Sequence, residues 1–133
     1  MLSNLTGPVI STGPINKNQI FPFSVYLVTC GSTAEAEKIS TALLDGRLIA
    51  CANIIGGAEK SLFSIYKWEG KVEKDAEMLL IMKSRSELLD EIVSAVKKDH
   101  SYDVPEVIAL PMMGGSKDYL DWVLKETKEA DSG

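Results

Sequence analysis

The stretch Glu77-Met78-Leu79-Leu80-Ile81-Met82-Lys83 sets five large apolar residues in succession between two charged ones. Successive side chains of a strand point to opposite faces, so Met78, Leu80 and Met82 project one way and Leu79 and Ile81 the other. A strand that is apolar on both faces needs cover on both. Just upstream, residues 62–68 (LFSIYKW) are rich in β-branched and aromatic types, and Glu69-Gly70-Lys71 supplies a turn before a strand over 72–83. This pattern predicts a hairpin. Its first arm is predicted to start at Leu48, break at Gly56 and Gly57 and resume at Leu62, because paired glycines inside a strand mark a bulge or bend.

Outward from the hairpin, residues 24–30 read as the first strand, ending at Gly31. Ser32 and Glu35 have capping-box spacing, and Ala36, Ile39, Ala42 and Leu43 keep helical spacing up to Gly46. Ser84 and Glu87 repeat the box ahead of Leu89, Ile92, Val93 and Val96. Pro105 disfavours helix at Val104, residues 107–112 suit a fourth strand with Pro111 at an edge, and Gly114-Gly115-Ser116 opens a last helix. The order strand, helix, strand, strand, helix, strand, helix predicts an α+β fold: a ferredoxin-like βαββαβ sandwich with a long central hairpin and an extra C-terminal helix. Both main helices then cover one face of the sheet. Each large apolar side chain left bare on the other face forfeits about 1.5–3 kcal/mol, and several together rival a domain's net stability. A neighbouring subunit is the expected cover, and the last helix or the N-terminal segment is the alternative.

With 133 residues the chain holds one core, and its net charge of −5 opposes attraction to nucleic acid or anionic membranes. Direct membrane insertion is not expected, because no apolar run is long enough to span a bilayer. Residues 1–23 contain no acidic residue and repeat Thr-Gly-Pro, which reads as an irregular N-terminal extension to a domain over 24–133. Cys30 and Cys51 lack a short metal-type spacing, which favours a reducing, cytoplasmic setting.

The segments Ala50-Cys51-Ala52-Asn53-Ile54, Ile65-Tyr66-Lys67-Trp68-Glu69-Gly70-Lys71, Tyr102-Asp103-Val104-Pro105-Glu106 and Tyr119-Leu120-Asp121-Trp122, with Lys83, stand in order along the chain. They resemble the CutA divalent-cation-tolerance family over about residues 25–125. The resemblance implies a compact homotrimer, PII-like in packing its subunits sheet to sheet. It also implies tolerance to copper and other divalent cations, exercised by binding rather than catalysis. The extension lies outside the resemblance.

Cys51 and His100 are the candidate metal ligands, because thiolate and imidazole suit copper. The alternative is a Cys51 that packs as a small hydrophobe and a His100 that meets helix-terminal carbonyls. Tyr66, Trp68, Glu69, Lys83, Tyr102, Glu106 and Trp122 are the candidate ligand cleft, which the resemblance places between subunits. They equally suit the anchors of an interface. No spacing assigns a nucleophile or an acid–base pair, so no enzyme is expected. A divalent cation, copper first, is the expected ligand, with none needed for folding; a PII-like regulatory or scaffold trimer with an unidentified protein partner is the rival reading.

Overall fold

The computed structural model describes residues 20–57 and 62–131. Its organising element is β4 (Lys71–Arg85), fifteen residues long. On one side β4 pairs with β1 (Phe23–Cys30), and on the other with β2 (Cys51–Ile55) and β3 (Leu62–Trp68), laid end to end. β5 (Val107–Pro111) joins the far side of β1, so the order is β2-β4-β1-β5 with β3 also on β4, antiparallel throughout. This is the ferredoxin-like arrangement. The predicted interruption lies at Gly56 and Gly57, with φ of 118° and 125°. A Cβ on Gly56 would stand 2.8 Å from the Glu77 carbonyl oxygen, so the bend requires glycine there. At the hairpin tip Glu69 and Gly70 both take positive φ, the geometry that a two-residue turn between twisted strands demands.

Helices α1 (Thr33–Asp45) and α2 (Leu89–Asp99) pack on one face of the sheet. Ile39, Leu43, Ile92 and Val96 from the helices meet Tyr26, Val28, Leu80 and Met82 from the strands in one buried cluster. The first cap forms: Ser32 Oγ accepts from the Glu35 amide at 3.1 Å, while Glu35 Oε1 reaches one residue past the cap and accepts from the Gly31 amide at 3.3 Å. The second does not. Ser84 continues β4 opposite Ser24, and its hydroxyl donates to the Leu48 carbonyl at 2.5 Å. A 3-10 turn over Ser86–Leu88 follows, and α2 begins at Leu89 without a side-chain cap. The second strand likewise begins at Cys51 rather than Leu48.

The other face is largely open. α3 (Lys117–Glu126) crosses one end of it, held by Arg85 Nη2, which donates to the Leu124 and Thr127 carbonyls at 2.8 Å each, and by Arg47 Nη2, which donates to the Lys125 carbonyl at 2.6 Å. Beyond α3, Ile55, Ile108 and Leu110 stay 44–47% exposed, with half-buried Val25, Leu27, Leu79 and Ile81 between them. The last helix therefore supplies only part of the cover. Residues 1–19 lie outside the described residues, and with them most of the expected extension. Phe23 already belongs to β1, and the carbonyls of Phe21 and Pro22 accept bonds from Ser86.

Candidate functional site

Beyond the sheet proper, the β3–β4 arm faces the loop over residues 101–106 across a cleft of about 610 Å³. Ser64 pairs with Asp75 in the arm's ladder, so strand alternation puts Ser64, Tyr66 and Trp68 on the same face as Asp75 and Glu77. The opposite wall is Tyr102, Asp103, Val104 and Glu106, and Thr29 at the end of β1 also lines the space. Tyr66 donates its hydroxyl to the Asp75 carboxylate, and Tyr102 donates to Glu77 Oε2 at 2.9 Å. The Asp75 hydrogen bond, then desolvation, pushes the Tyr66 phenol up to about 12. Burial, then the Glu77 hydrogen bond and charge, holds the Tyr102 phenol well above its ordinary range. Both phenols are therefore protonated donors at neutral pH. The lining includes four carboxylates, Asp75, Glu77, Asp103 and Glu106, and no Lys, Arg or His among the described residues.

A second polar group sits at the far end of the open face, under α3. Cys51 pairs with Lys83 in the ladder, and its Sγ lies 3.5 Å from the Tyr119 hydroxyl. That contact, then burial, pushes the Tyr119 phenol up to about 12. Lys83 Nζ donates to Asn53 Oδ1, and the Tyr119 and Trp122 rings stand 5.5 Å apart. His100 follows α2: its Nδ1 accepts from the Tyr102 amide at 3.0 Å, which leaves Nε2 to donate to the Thr29 carbonyl at 2.7 Å.

Within one subunit the structure thus divides the residues expected around a cleft between subunits. Tyr66, Trp68, Tyr102 and Glu106 come together. Glu69 stays at the hairpin tip, Trp122 lies on α3, and Lys83 stands eight residues along β4 from Asp75, about 27 Å at strand rise. Cys51 and His100 are not brought together within one subunit either. Cys51 lies beside Lys83, whereas His100 is bonded to Thr29, which pairs with Leu79 across β4 from the β2 side. Their separation far exceeds the ~2.0–2.3 Å of a metal–ligand bond. No group of three His, Cys, Asp or Glu among the described residues is placed to hold an ion, so the donors of one subunit do not form a cage. Asp75, Glu77 and Asp103 are cleft residues that sequence reasoning missed; the alternation of Asp75 and Glu77 opposite Ser64 and Leu62 was the available signal.

Comparison with known proteins places this architecture. The chain is 45% identical over 109 residues to the chloroplastic CutA 1 protein of Oryza sativa subsp. japonica, covering 82% of this chain and 59% of that protein. It is 42% identical over 103 residues to the divalent-cation tolerance protein CutA of Thermus thermophilus, covering 77% and 96%. The chain therefore spans about three-fifths of the rice relative but nearly all of the bacterial one. The crystal structure of CutA1 from Oryza sativa superposes with a TM-score of 0.77 at 42% identity, over 84% of this chain and 98% of that one. Residues 24–126, which take in the cleft, the Cys51 region and α3, match the family described as CutA1 divalent ion tolerance protein, and to that family the chain belongs.

Proposed function

We propose that the chain acts in divalent-cation tolerance as a homotrimer, by binding rather than turnover, with copper as the preferred ion. The observation that carries this reading is the open apolar face, where Ile55, Ile108 and Leu110 are each at least 44% exposed around half-buried Val25, Leu27, Leu79 and Ile81. Contiguous apolar surface of this kind marks an interaction site, and in a closed ring of three copies each subunit buries this face against its neighbours. The copper preference rests on donor type: the Cys51 thiolate and the His100 imidazole are softer than carboxylate oxygens. The two lie toward opposite ends of the sheet, so an ion using both is shared between subunits. A cytoplasmic setting is the location that the free thiols of Cys30 and Cys51 favour; the rice relative is named chloroplastic, and an Archaeoglobus fulgidus homologue of known structure is named periplasmic. No helix among the described residues is long and apolar enough to cross a membrane.

Sedimentation equilibrium combined with calorimetric titration of CuCl2 and MgCl2 tests the reading. A trimer that binds copper and not magnesium is expected, with affinity reduced in Cys51→Ser and His100→Ala. A homogeneous monomer would overturn the assembly, and unchanged affinity in both variants would remove the two residues as ligands. The cleft beneath the arm favours a second reading, a PII-like module that binds a small organic ligand.

A further inference from the structure

Both ring nitrogens of His100 are engaged by backbone groups. Nε2 donates to the Thr29 carbonyl at 2.7 Å, and Nδ1 accepts from the Tyr102 amide at 3.0 Å. The imidazole also stands 4.6 Å from the Tyr102 ring. His100 thus pins the start of the loop over residues 101–106 to the end of β1. The loop has two further ties, and neither involves the imidazole. The Ser101 amide donates to Glu35 Oε2 at 2.7 Å, and the Tyr102 hydroxyl donates to Glu77 Oε2 at 2.9 Å. Glu77 is 8% exposed and pairs with Leu62 at the root of the β3–β4 arm. Tyr102 is therefore the residue that joins His100 to the arm.

A neutral imidazole has one free lone pair to offer a metal, and here that lone pair, on Nδ1, already accepts the Tyr102 amide. Two routes to a metal are open to the ring. Ligation through Nδ1 displaces the Tyr102 amide directly. Ligation through Nε2 breaks the Thr29 bond and leaves the ring proton on Nδ1. An N–H there faces the Tyr102 N–H, donor against donor. Both routes leave the Tyr102 amide without its acceptor. The Ser101 bond to Glu35 is untouched in either case, so Ser101 is the fixed point from which the rest of the loop is freed.

We propose that His100 is a cation-released latch, an inference that rests on the reading of His100 as a copper ligand. On giving a nitrogen to the metal, His100 lets go of Tyr102, and the loop beyond Ser101 separates from Glu77 and the root of the arm. The Glu77 carboxylate, whose side-chain hydrogen bond among the described residues comes from Tyr102, then regains water. Metal ligation and the latched loop exclude each other, so each weakens the other by the same factor.

Hydrogen exchange of the full chain, read by mass spectrometry over residues 100–106 with and without CuCl2, tests this beside calorimetric titration of the same samples. Saturating copper should speed exchange at Tyr102 about fivefold, which is one net hydrogen bond of about 1 kcal/mol converted at about 1.4 kcal/mol per tenfold. MgCl2 should leave it unchanged. In His100→Asn the carboxamide oxygen is as many bonds from the backbone as Nδ1 and takes the amide two residues on as an Asx turn, while the imidazole is gone. This variant should exchange slowly and ignore copper, whereas His100→Ala should exchange fast with copper or without it. Slow exchange in His100→Ala would overturn the latch. So would copper binding that His100→Asn weakens but that leaves wild-type exchange at Tyr102 unmoved, and that result would keep His100 as a ligand. Equal copper affinity in wild type and His100→Asn, or no binding to either, would overturn the latch and the ligand reading together.

Discussion

Leu79 and Leu80 are neighbours in β4 that face opposite sides of the sheet, and exchanging each for aspartate separates folding from assembly. Leu80 is 0% exposed within the core cluster. Leu80→Asp forfeits about 1.5–3 kcal/mol of apolar burial and adds several kcal/mol for a carboxylate sealed in the core without a partner. The sum, about 5 kcal/mol or more, is of the order of a whole domain's stability of ~5–15 kcal/mol. Leu79 is half-buried on the open face. In an isolated subunit an aspartate there keeps access to water, so the cost should stay near 1 kcal/mol. In the proposed trimer the same carboxylate would be sealed once per subunit, and at about 1.4 kcal/mol per tenfold even a partial desolvation penalty shifts assembly by orders of magnitude. Thermal melts followed by circular dichroism, with sedimentation velocity on the same samples, read the two effects apart. Leu80→Asp should be unfolded, whereas Leu79→Asp should be a folded monomer. A Leu79→Asp trimer of unchanged stability, or equal unfolding of both variants, would refute the assignment of one face to the core and the other to the interface.

Cys30 is fully buried, and burial pushes its thiol up to about 11, whereas Cys51 is half-buried. At mildly alkaline pH a thiol reagent should modify Cys51 first and reach Cys30 only on unfolding; simultaneous modification would contradict this packing. Gly56→Ala places a Cβ 2.8 Å from the Glu77 carbonyl oxygen at φ 118°, which should cost about 1–3 kcal/mol; an unchanged urea midpoint would show that the bend tolerates a side chain. Burial raises the Glu35 carboxyl, but hydrogen bonds from Ser101 and Gly31 outweigh it and hold the group below its ordinary range. Its stabilising contribution is therefore complete above the unfolded pKa of about 4.3 and is lost as pH falls through the lower folded value, where the unfolded chain binds more protons. Urea midpoints of wild type and Glu35→Gln should converge down the acid limb, and parallel curves would exclude this role.

The features legible in the sequence are those decided over a few residues. Alternation through residues 78–82 announced two apolar faces, and both appear. Ser32 and Glu35 form their cap because both ends of the bond are local. Ser84 and Glu87 have the same spacing, yet the Ser84 hydroxyl meets the Leu48 carbonyl, a partner 36 residues away, and β4 runs on instead. The candidate site divides by the same physics. Tyr66 and Trp68 share a face by alternation, but nothing local shows that the loop over residues 101–106 folds against them. Residue type and resemblance group Lys83 with a cleft between subunits, and within one subunit the length of β4 carries it to the other end of the sheet from Tyr66 and Trp68. Glu77 reads as the polar edge of an apolar run; Tyr102, 25 residues away, comes to bond its carboxylate.

The position of β1 between β4 and β5 has a bearing on biosynthesis. Cys30 pairs with Met78 and Val28 with Val107, so β1, the first of the described strands to leave the ribosome, waits for both of its neighbours. At about 5–20 residues per second, it spends several seconds with both backbone edges unpaired by the described strands and α1 as its nascent cover among the described elements. The β3–β4 hairpin, by contrast, closes within microseconds of emerging, because its strands meet through the Glu69-Gly70 turn. A nascent chain arrested after β2 is therefore expected to be protease-sensitive and chaperone-bound, and release past Arg85 to be the point at which the N-terminal half becomes protected.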